Sequence, residues 1–249
     1  MGLDRHFPPN PEYGRGSYRR RVRLANAVGR ALASVLDDYH DMRCVVEHDG
    51  TQVTGVVGDI ARAPFTTCPS ASTALHELVG SPLAIGRVQL YGEGRPGRNC
   101  THLFDIAALA MAFALLPLGE RVFDLVVPDE VEGGSLIEAL VDGKIVHLWR
   151  VAGETILTPR EFEGRGLFGG FAAWAAATFK DVELDAALAL QKAMFVARGR
   201  RYLVDGQGGD SLRQQPERIG ACFTFSEPQF SIARSIPGYT HDFTDGLMG

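Results

Sequence analysis

Four chemically capable side chains, Cys100, Thr101, His102 and Asp105, directly precede or begin an apolar block at 106–116. The block is apolar on every side and therefore predicts a buried helix, so the four side chains fall at the start of that helix. The N–H groups and the dipole of a helix N-terminus favour a bound anion such as a phenolate, enolate or carboxylate. The stretch predicts a small-molecule site at the edge of the core, without specifying the reaction.

The spacing of His102 and Asp105 favours general-base chemistry. The two residues are three apart and share one face of a helix. A carboxylate in that position can hold an imidazole in one tautomer, which a general base needs. Cys100 at the same helix start is expected to have a lowered thiol pKa, which makes it a candidate nucleophile. The alternative is structural, with Cys100 packed, Thr101 capping the helix and His102 bonded to a backbone carbonyl.

Two aromatic or titratable residues elsewhere are further candidates. His40, which follows Asp38 and Tyr39, is a candidate second acid/base group, and a solvated loop histidine is the alternative. Trp174 lies among alanines and is a candidate for stacking on an aromatic ligand, with core packing as the alternative.

Neither a metal nor a nucleotide cofactor is predicted. Cys68, Cys100 and His102 form the best metal set, with His40 or His76 as a further ligand, but they lack close ligand spacing. The glycine-rich stretch 92–97 has a proline where a phosphate-binding loop would start its helix. No serine-centred nucleophile elbow is present either.

Composition narrows the class of protein. The chain has 249 residues, a net charge of −5 and a pI near 5.8, which argues against a nucleic-acid partner. The longest apolar run, 106–118, is shorter than the roughly 20 residues of a membrane span, and the N-terminus has no apolar signal segment. The four cysteines show no close pairs and are expected to be free thiols. We therefore expect a cytoplasmic protein with no membrane partner.

Turn signals and hydrophobic alternation predict an α+β fold. Asp-Gly turns at Asp49 and Asp142 each lie between two strands rich in apolar residues, and each hairpin is followed by a helix-rich stretch. This self-similarity favours curved antiparallel sheets with packed helices, in two related halves of hotdog-like or nuclear-transport-factor-like architecture. Two unrelated hairpins are the alternative. The predicted strands are 18–24, 43–47, 52–60, 121–127, 136–141, 144–151, 154–157 and 221–225; helices are predicted at 70–79, 171–179 and 181–198, and a polar loop at 206–215.

The predicted domain organisation is simple. Residues 1–17 are rich in proline and glycine and predict a flexible arm, and residues 18–249 predict a single α+β catalytic domain. The pseudo-repeat halves of that domain would be 18–118 and 119–249. A sheet edge from either hairpin could pair across a homodimer.

Several elements together resemble a bacterial family catalogued as a domain of unknown function, with a Cys-Pro … Cys-Thr-His-Leu signature. Cys100-Thr101-His102-Leu103 is the most specific of these elements, whereas His241 stands where the pattern has arginine. The other elements are Tyr18-Arg19-Arg20, the 37–42 patch with His40, Cys68-Pro69, Leu78-Val79-Gly80, the Asp142-Gly143 hairpin with Trp149, and Asp242-Phe243.

The resemblance implies a cofactor-independent γ-formaldehyde lyase that acts on lignin-derived aromatic dimers. Such an enzyme removes a CH₂OH group as formaldehyde through a quinone methide and leaves a stilbene. The implied base is His102 with Asp105, His40 or Tyr39 would be the partner for the phenol, and the helix start would hold the anion. The expected catalytic residues are His102, Asp105 and His40; the expected substrate-binding residues are Tyr39, Cys68, Cys100, Thr101 and Trp174.

Two other functions remain open from the sequence. A buried helix wrapped by a curved sheet is also typical of hotdog-like acyl-thioester hydrolases or hydratases, by analogy of fold alone. A non-catalytic protein that binds an aromatic ligand is the third hypothesis.

Overall fold

A computed structural model describes residues 6–205 and 208–247. The strands are β1 Ser17–Ala27, β2 Arg30–Asp37, β3 Asp41–His48, β4 Val53–Arg62, β5 Gly119–Pro128, β6 Ser135–Val141, β7 Lys144–Ala152 and β8 Thr155–Thr158. The α-helices are α1 Arg87–Leu90, α2 Arg95–Arg98, α3 Thr101–Phe113, α4 Phe171–Thr178, α5 Asp181–Ala197 and α6 Gln229–Ile232. Short 3-10 helices are Cys68–Leu78, Arg160–Phe162, Arg198–Arg201, Leu212–Gln214, Pro216–Arg218 and Phe223–Phe225. Residues 1–5 of the predicted arm and 206–207 of the predicted polar loop lie outside the described residues.

The eight strands form one curved antiparallel sheet in the order β4-β3-β2-β1-β5-β6-β7-β8. The predicted α+β class is confirmed, with one sheet in place of several. Each group of four consecutive strands is a meander in which neighbours in sequence are neighbours in the sheet. Such an order is what two related halves would give, and the duplication itself stays a prediction.

Period-two burial along the strands shows that the sheet is covered on one face. In β2, Ala31, Ala33 and Val35 are buried while the alternate residues Arg30 and Leu32 are exposed. The same alternation recurs in β6. It is typical of antiparallel sheets with one face against a core and the other facing water.

Helices pack on the buried face of the sheet. The predicted buried helix is confirmed as α3, which packs on β2 and β3 and buries residues on all sides, including Leu103, Phe104, Ile106 and Met111. Farther along the chain, α5 packs on β6 and β7. In the described part of the chain, no helix is long and apolar enough to cross a bilayer.

The chain divides into two compact units. Among the described residues, the first unit comprises 22–121 and 205–241, and the second comprises 6–21, 122–204 and 242–247. The first unit is therefore completed by a segment that follows the second unit in sequence. Within the second unit, the described part of the predicted arm is held in place, because Asn10 N–H donates to the Arg201 carbonyl at 2.9 Å and its side chain donates to the Arg200 carbonyl at 2.9 Å.

Both predicted Asp-Gly hairpins form. Asp142 and Gly143 adopt φ values of 50° and 77°, the left-handed pair that a tight two-residue turn requires. At the other turn, the Asp49 carboxylate accepts hydrogen bonds from the N–H groups of Thr51 and Gln52 at 2.8 and 2.9 Å. Local turn chemistry therefore sets the register of β3 with β4 and of β6 with β7.

The predicted strand 221–225 is wrong. Residues Phe223–Phe225 form a 3-10 turn in which Phe223 N–H donates to the Asn99 carbonyl and Gly220 N–H donates to the Phe225 carbonyl. A short apolar run predicts burial but does not distinguish a strand from a buried turn. This turn belongs to the segment that completes the first unit.

Candidate acid-base site

The tight turn between β2 and β3 carries a buried histidine on a buried carboxylate. Asp37 Oδ1 accepts hydrogen bonds from the backbone N–H groups of Tyr39 and His40 at 2.8 and 2.9 Å, and lies 2.9 Å from His40 Nδ1. Asp37 is fully buried and His40 is 7% exposed. A carboxylate in this position favours the tautomer protonated at Nδ1 and leaves Nε2 for proton transfer.

The guanidinium of Arg62, at the end of β4, fixes the backbone of this turn. It donates to the carbonyl oxygens of Asp38 at 2.8 Å, His40 at 3.1 Å and Tyr239 at 2.7 Å, and also to that of Asp37. A rigid fork of donors is suited to several acceptors at once. The histidine is therefore held through its backbone as well as through its ring.

His102 lies against His40. The two ring centroids are 4.1 Å apart with an interplanar angle of 44°. His102 is the second residue of α3, so the start of the buried helix delivers it to the β2–β3 turn. The structure thus brings together two of the three predicted catalytic residues.

Asp105, the third of them, has another hydrogen-bond partner. Tyr91 Oη donates to Asp105 Oδ1 at 2.9 Å, and the Tyr91 ring packs edge-on against Phe104 with centroids 5.3 Å apart. A pairing of Asp105 with His102 stays a prediction. The carboxylate seen bonded to an imidazole of this site is that of Asp37, which the sequence did not single out.

Three thiols lie near the start of α3, those of Cys68, Cys100 and Cys222. Thr224 Oγ1 donates to the Cys68 sulfur at 3.4 Å, and the Cys100 sulfur lies 3.9 Å from the Met42 sulfur. Burial, reinforced by the neighbouring thiols, raises the pKa of Cys68 to about 11 and that of Cys100 to about 12. The expected lowering of the Cys100 pKa is therefore wrong, because desolvation outweighs the effect of the helix N-terminus.

A cation enters the same unit from the C-terminal segment. The guanidinium of Arg218 lies 4.0 Å from the centroid of the Phe225 ring, and its Nη1 donates to Gln215 Oε1 at 2.7 Å. Its charge is close enough to favour the ionised forms of Cys222 and Tyr239, although burial outweighs it and raises both pKa values. Burial also lowers the pKa of Arg218.

Ring contacts connect Tyr239, in the same C-terminal segment as Arg218, to the histidines. Tyr39 lies between His40 and Tyr239, with centroid distances of 6.3 Å to each. Tyr239 and Arg218 interact electrostatically, as described above. The β2–β3 turn, the start of α3 and the segment 205–241 therefore contribute to one continuous group of side chains in the first unit.

The remaining predicted binding residues divide between the units. Thr101 begins α3, with Cys100 as its N-cap residue. Trp174 belongs to the second unit, where it is half-buried in a cluster of aromatic rings and carries the Arg165 guanidinium 5.2 Å from its centroid. A role of Trp174 in binding an aromatic ligand stays a prediction. The ring neighbours of Trp174 are Phe162, Phe171 and Phe179.

Within residues 6–205 and 208–247, no group of three or more His, Cys, Asp or Glu side chains is arranged to hold a metal ion. No protein-family model matches the chain, and no curated protein matches it significantly.

Proposed function

We propose that this protein is a carbon–carbon lyase that releases formaldehyde from a phenolic aromatic dimer by acid-base chemistry that needs no cofactor. The observation that carries the proposal is the buried Asp37–His40 pair, joined at 2.9 Å, with the His102 ring 4.1 Å from that of His40. A carboxylate-oriented imidazole beside a second imidazole is suited to moving one proton on and another off a bound substrate.

The proposed reaction balances without an oxidant or a metal. From a diaryl propanediol, the phenol releases its proton to water, and the benzylic hydroxyl leaves as water after protonation, which gives a quinone methide. A base then takes the proton of the terminal CH₂OH group. The C–C bond to that carbon breaks, its electron pair forms the stilbene double bond and regenerates the phenolate, and formaldehyde leaves. The net products are a stilbene, water and formaldehyde.

The site offers one group for each of the two proton transfers at the aliphatic hydroxyls. His40, with Nδ1 held by Asp37, is suited to take the proton of the terminal hydroxyl at Nε2. His102 would protonate the departing benzylic hydroxyl, and transfer of the proton that His40 gained to His102 would return the site to its starting state. Transfers of this kind typically contribute 10²–10⁴-fold to a rate.

The direct experiment incubates the purified chain with a phenolic diaryl propanediol and measures formaldehyde and stilbene together. Equimolar release of both is expected. The 4-O-methyl ether of the same substrate cannot form a quinone methide and should not react. The variant His76→Gln, which changes an exposed histidine, serves as the matched control for His40→Gln and His102→Gln.

Other outcomes contradict the proposal. Release of a thiol from an acyl thioester without formaldehyde production would favour a hydrolase. The packing of helix α3 on β2 and β3 is the observation that suggests this alternative. Saturable binding of the phenolic dimer with no turnover would favour a binding protein. Full turnover in both histidine variants would overturn the residue assignment.

The proposal places the enzyme in the cytoplasm and leaves room for a homodimer. All four cysteines are unpaired, which fits a reducing compartment. The outer strand β4 presents a sheet edge beyond Val53 that a second copy could extend, whereas residues 164–167 are already hydrogen-bonded along β8. Light scattering of the purified chain tests the second point.

A further inference from the structure

We propose that Arg218 binds the phenolate oxygen of the aromatic ligand and so favours the ionised phenol. The choice of a phenol as the ligand rests on the proposed function. The role of Arg218 as an oxyanion-binding residue rests on the side chains that surround it.

Arg218 is a half-buried cation that donates a hydrogen bond to a neutral side chain. Its Nη1 donates to the neutral side chain of Gln215, and its Nε is buried without a hydrogen-bond partner. Among the described residues, no carboxylate forms a salt bridge with it; Glu217, its neighbour in sequence, favours its charged form only at longer range. A desolvated charge is costly unless it is paired, so an anion placed here would be bound strongly.

The acidic groups around Arg218 do not neutralise it. Burial raises the pKa of Cys68 to about 11 and raises the pKa values of Cys222 and Tyr239, so all three are protonated near neutral pH. Their thiol and hydroxyl groups can donate hydrogen bonds to an oxygen anion, whereas carboxylates in the same places would repel it. The surroundings therefore suit an anionic oxygen rather than a cation.

The side chains beside the Arg218 guanidinium include aromatic rings, which suit contact with another aromatic ring. The Phe225 ring carries the guanidinium on its face and meets Phe65 edge-on, with centroids 5.5 Å apart. A planar cation on an aromatic face keeps its outer edge available for hydrogen bonding. A phenol could thus place its ring among Phe and Tyr side chains and its oxygen at Arg218.

Position relative to the histidines completes the inference. Tyr239 interacts electrostatically with Arg218. Its ring is a neighbour of the Tyr39 ring, which in turn is a neighbour of the His40 ring. The oxyanion group and the proton-transfer group are therefore at two places in the same compact unit. A phenolic dimer needs this separation, because the phenolate and the breaking C–C bond lie at different ends of the conjugated system.

The test is a spectroscopic titration of bound 4-nitrophenol, whose phenolate form absorbs differently from the phenol. In the wild-type protein, the pKa of bound nitrophenol should fall by about one unit or more relative to the free compound, as expected beside an opposite charge. Arg218→Met should abolish this shift, and Arg218→Lys should keep part of it. Arg213→Met, which removes an exposed arginine from the neighbouring 3-10 helix, should behave like the wild type.

Several results would overturn the inference: no binding of nitrophenol to the wild type, no shift on binding, or an unchanged shift in Arg218→Met. If Arg218→Met does not fold, the wild type still decides, because 4-nitroanisole should bind at least about tenfold more weakly than nitrophenolate. Equal binding of the two compounds contradicts the role of Arg218. The titration needs no turnover: a shift that depends on Arg218 without formaldehyde release would contradict only the proposed function.

Discussion

Two buried histidines, one in each unit, have opposite surroundings. His40 in the first unit is 7% exposed, rests on the Asp37 carboxylate and touches the imidazole of His102. His147 in the second unit is 5% exposed, and its Nε2 lies 2.8 Å from the backbone carbonyl oxygen of Glu183. Its ring packs against Trp149 and Phe179, with centroids 4.9 and 4.7 Å away.

The difference separates the proposed proton-transfer group from a histidine whose contacts are structural. Asp37 holds the His40 ring at Nδ1 and leaves Nε2 for proton exchange, whereas Nε2 of His147 already contacts the Glu183 carbonyl oxygen. Burial among aromatic rings lowers the pKa of His147, with the Glu183 carbonyl and carboxylate only partly opposing it. We therefore expect changes at the first histidine to affect turnover and changes at the second to affect stability.

The largest effect is expected from His40→Gln. Glutamine keeps a polar side chain of similar length but cannot exchange a proton, so formaldehyde release should fall by roughly 10²–10⁴-fold. The rate is measured with saturating phenolic substrate, and circular dichroism checks that the variant folds. His147→Gln is the counterpart and should keep turnover within a few-fold of the wild type. Equal losses in the two variants would erase the distinction.

The next effect concerns the carboxylate that orients His40. In Asp37→Asn an amide N–H₂ can face Nδ1, which favours the wrong tautomer, and turnover should fall by roughly 10²–10³-fold. Asp105→Asn is the control from the alternative carboxylate, whose Oδ1 accepts from Tyr91. A greater loss in Asp105→Asn than in Asp37→Asn would restore the helix-spacing hypothesis for the base.

Thiol chemistry gives a third prediction for the first unit. Because burial raises the pKa of Cys68 from its usual 9.0 to about 11, its thiolate fraction at pH 8 is about a hundredfold lower than in the unfolded chain. Labelling by iodoacetamide, followed residue by residue by mass spectrometry, should be slower in the native protein by at least that factor. Labelling of Cys68 or Cys100 at the unfolded rate would reinstate a nucleophilic role.

The smallest expected effect is on the pH dependence of stability, through the buried histidine His147. Burial lowers the folded-state pKa of His147 below the unfolded value of about 6.5, so as the pH falls through that value the unfolded chain takes up the proton first. Stability due to the neutral ring is therefore present above about pH 6.5 and is lost below it. His147→Phe should be less stable at pH 8 by about 1 kcal/mol, the value of one hydrogen bond.

Urea unfolding at pH 8 and pH 5 measures the free energy of unfolding of both proteins. The wild type should lose more stability than His147→Phe between the two pH values. An equal loss would mean that this ring is already protonated in the native state or does not titrate in this range, and the contrast between the histidines would then rest on geometry alone.

Local signals in the sequence predicted much of the fold. The Asp-Gly turns at Asp49 and Asp142 and the apolar block after Asp105 each carry their own physical cause, namely turn chemistry or complete burial. The failed strand at 221–225 had only a short apolar run, whose conformation depends on contacts with residues far away in sequence. Local patterns likewise did not predict the order of the strands in the sheet beyond the pairing within each hairpin.

The candidate site was predictable in part for the same reason. His40 and His102 were identified by residue type and position, but their contact depends on α3 packing against β2 and β3. The Asp37 carboxylate had one local signal, its place three residues before His40, which allows an aspartate to accept from the following N–H groups. Arg218 and Tyr239 carried no local signal, because the chain returns to the first unit only after residue 204.

The segment 205–241 joins the first unit only after 122–204 have been made, and this sets the order in which the site can be assembled during synthesis. A ribosome adds about 5–20 residues per second, and N-terminal parts of a chain usually fold first. The β2–β3 turn and α3 can therefore form while the segment that holds Arg218 is still being made, since all of 122–204 must be translated before it. A chain interrupted before residue 205 would carry both histidines but lack the cation proposed to ionise the phenol. Synthesis itself would thus withhold the complete site from unfinished chains.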